Sequence, residues 1–140
     1  MTTIEQLNDW LKETEDLHLE FKEARNAYSD ANLADYCAAL ANEGGGKLLL
    51  GVRNNKKVVG TKVYSGTHNK LSNELLSKLK IRIDVEEVIH PDGRVVVFHV
   101  PSHPIEQPVR STGKYTYPMR AGESLVEMDI MTLKRILNET

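Results

Sequence analysis

The sequence predicts an α+β domain: a mixed, mainly antiparallel sheet covered by three to four helices. Segments with apolar residues at helical spacing interleave with short alternating or continuously apolar segments, so helices and strands follow one another along the chain. A helical segment ends in Gly44-Gly45-Gly46 and passes straight into the apolar KLLLGV. Two β-rich runs are joined by Pro91-Asp92-Gly93, where proline presets φ and glycine permits a positive one.

Each element can be justified in order. Ile4, Leu7, Trp10 and Leu11 recur at helical spacing, and Thr3 with Gln6 has the form of a capping box. LHLEFKEA alternates apolar and charged residues, as a half-buried strand does. A second helix is expected from about Asn32, with Leu33, Tyr36, Cys37, Leu40 and Ala41 on one face, and the three glycines end it. KLLLGV then turns back at RNNKK into VVG. Leu71, Leu75 and Leu79 mark a third helix, and IRIDVEEVIH and RVVVFHV are the strands joined by the proline turn. KYTYPMR reads as a further strand, with Pro118 placing it at an edge or a strand end. Asp129 caps a last helix whose Ile130, Leu133, Ile136 and Leu137 are expected to face inward.

Composition narrows the function classes. At 140 residues, 40% hydrophobic and 27% charged, the chain suits one compact domain with a single core. No apolar run approaches the roughly 18–20 residues of a membrane helix, so no membrane partner is expected. MTTIEQLNDW lacks a basic start followed by an apolar run, so no secretion signal is read. The lone Cys37 cannot form an internal disulfide and fits a reducing cytoplasm, the expected location.

Charge is unevenly spread within a net −2. Residues 44–82 carry nine cations (Lys47, Arg53, Lys56, Lys57, Lys62, Lys70, Lys78, Lys80, Arg82) against Glu74, a local excess of eight. Converging in space, they would attract polyanions; dispersed, they would be ordinary solvated side chains.

Among short motifs, EGGGK invites comparison with phosphate-cradling loops. The G-x-x-x-x-G-K-[ST] spacing is absent, Leu48 stands where a magnesium-binding hydroxyl would be required, and the turn runs from helix to strand. A structural turn, or one that lets a polyanion backbone come close beside Lys47, is what remains. His99 and His103 have H-x-x-x-H spacing, but Pro101 and Pro104 make the segment a loop and no metal is expected there. Cys37 reads as packing. Tyr115 and Tyr117 would share one strand face, available either to packing or to base stacking.

LEFKEA, then a helix ending in ALANEGGGKLLLGV, then VVG after a short turn, and later YPMRAGESLVEMD, together resemble the Schlafen/AlbA-type DNA-binding domain family over most of residues 13–130. The resemblance implies a nucleic-acid-binding module of the kind found in bacterial and archaeal proteins described as transcriptional regulators, often followed by ATPase-like or winged-helix segments. It also implies a kinship with animal Schlafen proteins, in which a related core cleaves tRNA and rRNA. In those nucleases three acidic residues hold a divalent metal: two at E-x-x-x-x-E-x-K spacing and a third just after the glycine-valine strand. Glu15, Glu20 and Lys22 match the first part, but Arg53-Asn54 follow Gly51-Val52 where the third carboxylate would stand. An arginine there repels a cation and attracts phosphate. Glu15 and Glu20 also fall on opposite faces of a regular strand. Asp35, Glu43 and Asn54 are the substitutes the sequence offers.

The expectation is therefore a cytoplasmic nucleic-acid-binding module, part of a transcriptional regulator or defence protein. It contacts DNA or RNA backbone with low sequence specificity through Lys22, Arg25, Lys47, Arg53, Lys56, Lys57 and Arg120, without a cofactor. The glutamates are expected to orient neighbouring basic side chains. Residues 1–140 would be one domain, either a whole protein or the N-terminal part of one with an ATPase-like or winged-helix segment beyond. Two alternatives stay open. One is a Schlafen-type RNA endonuclease using Mg or Mn held by Glu15 and Glu20 with Lys22 in the site. The other is an oligomerisation module, in which the chain would form a homo-oligomer.

Overall fold

The structure, a computed structural model, describes residues 1–12, 18–122 and 124–140. Along the chain run α1 (Ile4–Trp10), β1 (Leu19–Lys22), α2 (Asp30–Asn42), β2 (Gly46–Leu50), α3 (Leu71–Leu79), β3 (Asp84–His90), β4 (Gly93–Val100), β5 (Pro118–Ala121), β6 (Ser124–Glu127) and α4 (Ile130–Leu137). Four strands form a sheet in the order β1-β2-β4-β3, and β5-β6 form a separate hairpin. β1 runs parallel to β2, while β2, β4 and β3 pair antiparallel, so the sheet is mixed and mainly antiparallel. The parallel pair requires a crossover, and α2 is that crossover. Among the described residues no helix is long and apolar enough to cross a membrane.

Both faces of the sheet are covered. On one side Leu48, Leu50, Val96 and Phe98 meet Leu33, Cys37 and Leu40 of α2 and Leu71, Leu75 and Leu79 of α3. On the other side Leu19, Phe21, Leu49, Val95 and Val97 pack with Leu7 of α1 and with Val52 and Val58 of the turn after β2. Strand alternation sorts the residues between the two layers. Cys37 is fully buried, and burial pushes its thiol well above the ordinary range, in keeping with a packing role.

Local signals explain most boundaries. Gln6 N–H donates to Thr3 Oγ1 and Thr3 N–H donates to Gln6 Oε1, completing the capping box. Asn32 N–H donates to Ser29 Oγ, so α2 starts at Asp30, slightly earlier than periodicity suggested. Gly44 and Gly45 take φ of 102° and 94°, and a Cβ on Gly45 would lie 2.9 Å from the Val100 carbonyl oxygen. Pro91 and Asp92 lie between β3 and β4, as the turn chemistry required.

Four expectations need correction. Glu20 was placed on the solvent face of a half-buried strand, yet it is 2% exposed, because the second face of β1 is also covered. The strand expected over KYTYPMR begins only at Pro118; the residues before it form a loop tied to Asp35. The strand expected from Ile81 begins at Asp84, although Ile81 and Ile83 are buried. In α4 only Ile136 is buried, whereas Ile130 and Leu137 are 70% and 50% exposed. Leu133 and Leu137 line a cleft of about 670 Å³ beside Leu79, Ile81 and Val109, without filling it.

Two predictions follow from this packing. Gly51 has φ 101°, and an added Cβ would sit 2.8 Å from the Arg94 carbonyl oxygen, a backbone atom. Gly51→Ala is expected to destabilise the protein by more than about 2 kcal/mol in urea denaturation, since left-handed strain and a backbone clash add. Acid should also destabilise the fold. The Arg94 guanidinium holds Glu87 below the usual carboxylate range, and His103 together with the Glu106 N–H does the same for Glu139. At Glu86 burial works in the opposite direction, but the Thr2 N–H and His99 outweigh it. Carboxyls depressed in the folded state stabilise it above their unfolded value of about 4.5 and lose that contribution as pH falls through the lower folded values. The thermal midpoint is expected to drop below about pH 4.5, and less steeply in Glu86→Gln or Glu139→Gln.

Candidate nucleic-acid interface

The basic residues after β1 and β2 are brought together by backbone stitching. Gly51 and Val52 N–H groups both donate to the Lys22 carbonyl, so the chain leaves the two parallel strands at one place. Arg53 N–H donates to the Lys57 carbonyl and Lys56 N–H to the Arg53 carbonyl, closing a tight turn in which Lys56 has φ 70°. Lys62 N–H donates to the Arg25 carbonyl. Glu23 Oε1 accepts from Arg53 Nε at 2.7 Å and from Arg25 Nε at 3.3 Å. The resulting rim carries Arg25, Arg53, Lys56, Lys57 and Lys62 against Glu23, an excess of four positive charges. The hydrogen bond from Arg53 holds the Glu23 carboxyl below its ordinary range, so it aligns both arginines as an anion.

Lys22 adjoins this rim and closes a shallow cleft of about 560 Å³ with Arg53, Asn54 and Asn55. Its Nζ lies 3.3 Å from Glu20 Oε2 and 4.3 Å from the centre of the Tyr36 ring. Burial works to lower the Lys22 pKa, but Tyr36 and Glu20 outweigh it and keep the ammonium charged.

Lys47 does not join the rim. It sits at the opposite end of β2, roughly 20 Å from Arg53 by strand rise, with its Nζ 4.8 Å from the Trp10 ring centre on the other face of the sheet. Arg120 lies inside the protein, its side chain 7% exposed. Its Nη1 donates to Glu20 Oε1 at 3.0 Å and to the Leu19 carbonyl at 2.8 Å, and its Nε donates to Glu43 Oε2 at 3.0 Å. Glu20 therefore orients two basic side chains, Lys22 and Arg120.

The alternative ligand set can be tested on these residues. Glu20 and Glu43 do converge, but on the guanidinium of Arg120. Asp35 is committed elsewhere: it accepts from Ser111 Oγ and from the Lys114 and Tyr115 N–H groups. Asn54 stands in the exposed turn beside Arg53. Glu15 lies outside the described residues. Among the described residues no three His, Cys, Asp or Glu side chains gather in a metal-binding arrangement. His99 and His103 point to separate carboxylates, Glu86 at 2.7 Å and Glu139 at 3.0 Å.

The family model described as Schlafen, AlbA_2 matches residues 15–129. The chain belongs to the Schlafen AlbA_2 family. Among solved structures, the fold is similar to the N-terminal domain of a protein from Nitrosomonas europaea described as related to the ATP-dependent DNA helicase RecG. That match has a TM-score of 0.60 and 25% identity, covering 89% of this chain and 92% of that one. It is also similar to the DIP2311 protein of Corynebacterium diphtheriae, with a TM-score of 0.67 and 20% identity over 90% of this chain. This chain spans about a quarter of that protein, 26%. No curated protein matches significantly.

Within this Schlafen AlbA_2 domain, several site-building residues escaped the sequence reading. Lys62 was counted as a charge but not assigned to the site, because only its pairing with Arg25 brings it to the rim. Asn42 anchors the closing segment: its Nδ2 donates to the Val109 and Pro118 carbonyls, and its Oδ1 accepts from Val109 N–H. A polar residue inside an otherwise apolar helical stretch, as in ALAN, was the available signal. Arg120→Met should destabilise the domain by about 3 kcal/mol, measured by denaturant unfolding, because Glu20 keeps its charge in the interior after losing its strongest cation. Pairing it with Glu20→Gln should recover a large part of that loss.

Proposed function

We propose that this domain is a nucleic-acid-binding module that grips the phosphate backbone with little sequence preference. Its contacts are Arg25, Arg53, Lys56, Lys57 and Lys62 on the rim, with Lys22 beside them. The observation that carries the reading is that rim, where five cations and one carboxylate, which pairs with Arg25 and Arg53, lie on adjacent, mutually hydrogen-bonded segments. Point charges on flexible side chains suit phosphates, which position a protein on a strand but do not specify sequence. Arg120 acts from beneath, holding β1 and α2 in register. Lys47 forms a separate, weaker contact. The Nitrosomonas neighbour's description as related to a DNA helicase supports a nucleic-acid setting. A place within a cytoplasmic regulator or defence protein, joined to an ATPase-like or winged-helix domain, is consistent with the family. The domain binds without catalysis and without a metal cofactor.

The test is a gel shift with tRNA and DNA, with and without manganese, at rising salt. Affinity should fall with a log–log slope of about −3 to −5 for duplex DNA, the range for a handful of displaced counterions. Arg53→Ala and Lys57→Ala should each weaken binding to all sequences alike and reduce that slope by about one. No binding at low salt, or binding indifferent to salt, overturns the reading. Manganese-dependent cutting that disappears in Glu20→Gln would establish a nuclease instead. Absence of binding together with a stable dimer in light scattering would point to an oligomerisation module.

A further inference from the structure

A second cleft, of about 510 Å³, opens on the other side of Lys22. Lys22, Tyr28, Asn32, Tyr36, Lys114 and Tyr115 line it. Three of the chain's five tyrosines thus meet in one place, although they come from the segment before α2, from α2 itself and from the loop before β5. Tyr115 and Tyr117 do not share a face as a strand would have required: Tyr117 lines the cleft under α4. The Lys22 ammonium covers the Tyr36 ring, which leaves the half-buried Tyr115 as the ring available to a ligand. The wall that carries it is tied to α2, because the Lys114 and Tyr115 N–H groups both donate to the buried Asp35 carboxylate. The Tyr28 hydroxyl, shielded from water, has no hydrogen-bond partner among the described residues, and burial pushes its pKa up, keeping it a donor.

Aromatic faces beside two ammonium groups are the chemistry of a nucleotide: rings stack on the base while lysines meet the phosphates. The volume lies within the range of small-ligand pockets. Lys22 belongs to this cleft and to the one under Arg53, so a strand lying on the basic rim reaches the tyrosines without a break. A base stacked inside a duplex cannot enter such a cleft, whereas an unpaired one can.

We infer that the tyrosine cleft takes up one unpaired nucleotide of a strand held on the rim, so that the domain prefers single-stranded nucleic acid to duplex. Tyr115 supplies the stacking face, Tyr28 a hydrogen bond to base or sugar, and Lys22 with Lys114 the phosphate contacts. This inference rests on the proposed nucleic-acid binding and adds the form of the ligand to it.

The experiment titrates the full chain against a DNA single strand containing 2-aminopurine and against a hairpin duplex of equal phosphate number. The single strand should bind at least about tenfold tighter, with a change in 2-aminopurine fluorescence on binding. Tyr115→Ala should erase both the preference and the fluorescence change, leaving duplex affinity and its salt slope as they were. Tyr115→Phe should keep them, and Tyr28→Phe should weaken single-strand binding a few-fold. Equal affinity for the two forms, or a preference that survives Tyr115→Ala, overturns the inference while salt-dependent duplex binding upholds the broader function. Loss of all binding in the unaltered chain overturns both.

Discussion

The guanidinium of Arg120 joins parts of the chain that are a hundred residues apart. It meets Glu20 on β1, Glu43 at the end of α2 and the backbone carbonyl of Leu19. Glu20 is almost wholly removed from water, and an ionised carboxylate in such a place is costly unless it is paired and hydrogen-bonded. The segment carrying Arg120 must therefore return across α2 and lie against β1. Asp35 and Asn42, seven residues apart and so on one side of the helix, receive that segment at two further points. Asp35 and Asn42 of α2, with Glu43 capping its end, thus fold the C-terminal third of the domain onto the first strand.

This arrangement sorts charge as well as chain. Arg120 pairs with Glu20 and Glu43, and Glu23 is spent aligning Arg25 and Arg53. A chain with a formal charge of −2 consequently presents a positive rim at one end of its parallel strands. Screening in physiological salt acts over roughly 8 Å, so the potential at the rim is set mainly by the charges close to it. The same return of the chain sets the loop holding Tyr115 beside Tyr28 and Tyr36. Basic rim and aromatic cleft then share Lys22 as a common border.

Much of the fold was legible residue by residue. The Thr3–Gln6 capping box, the Leu71-Leu75-Leu79 stripe, the glycines after α2 and the proline turn between β3 and β4 are local signals, and each forms as its chemistry requires. The sheet was read as mixed because helix and strand patterns interleave. The misreadings share a cause. Glu20 and the inward face of α4 were assigned by periodicity, which locates a face but not what covers it. The Tyr115 segment has strand-like composition, yet Asp35 takes the N–H groups of Lys114 and Tyr115.

The sequence by itself determined most of the elements in order, though not the strand Ser124–Glu127, together with the family and a stock of basic residues concentrated after the second strand, since these depend on neighbours along the chain. Tertiary structure decided which of those residues lie together. Arg25, Arg53, Lys57 and Lys62 became one surface through hydrogen bonds across 37 positions of sequence, counted from 25 to 62. Lys47 was sent to the opposite end and face of the sheet by its place on β2, and Arg120 was drawn inside by the buried Glu20 and the partly buried Glu43. Electrostatic pairing and desolvation depend on distance in space, and a one-dimensional pattern carries no measure of that distance.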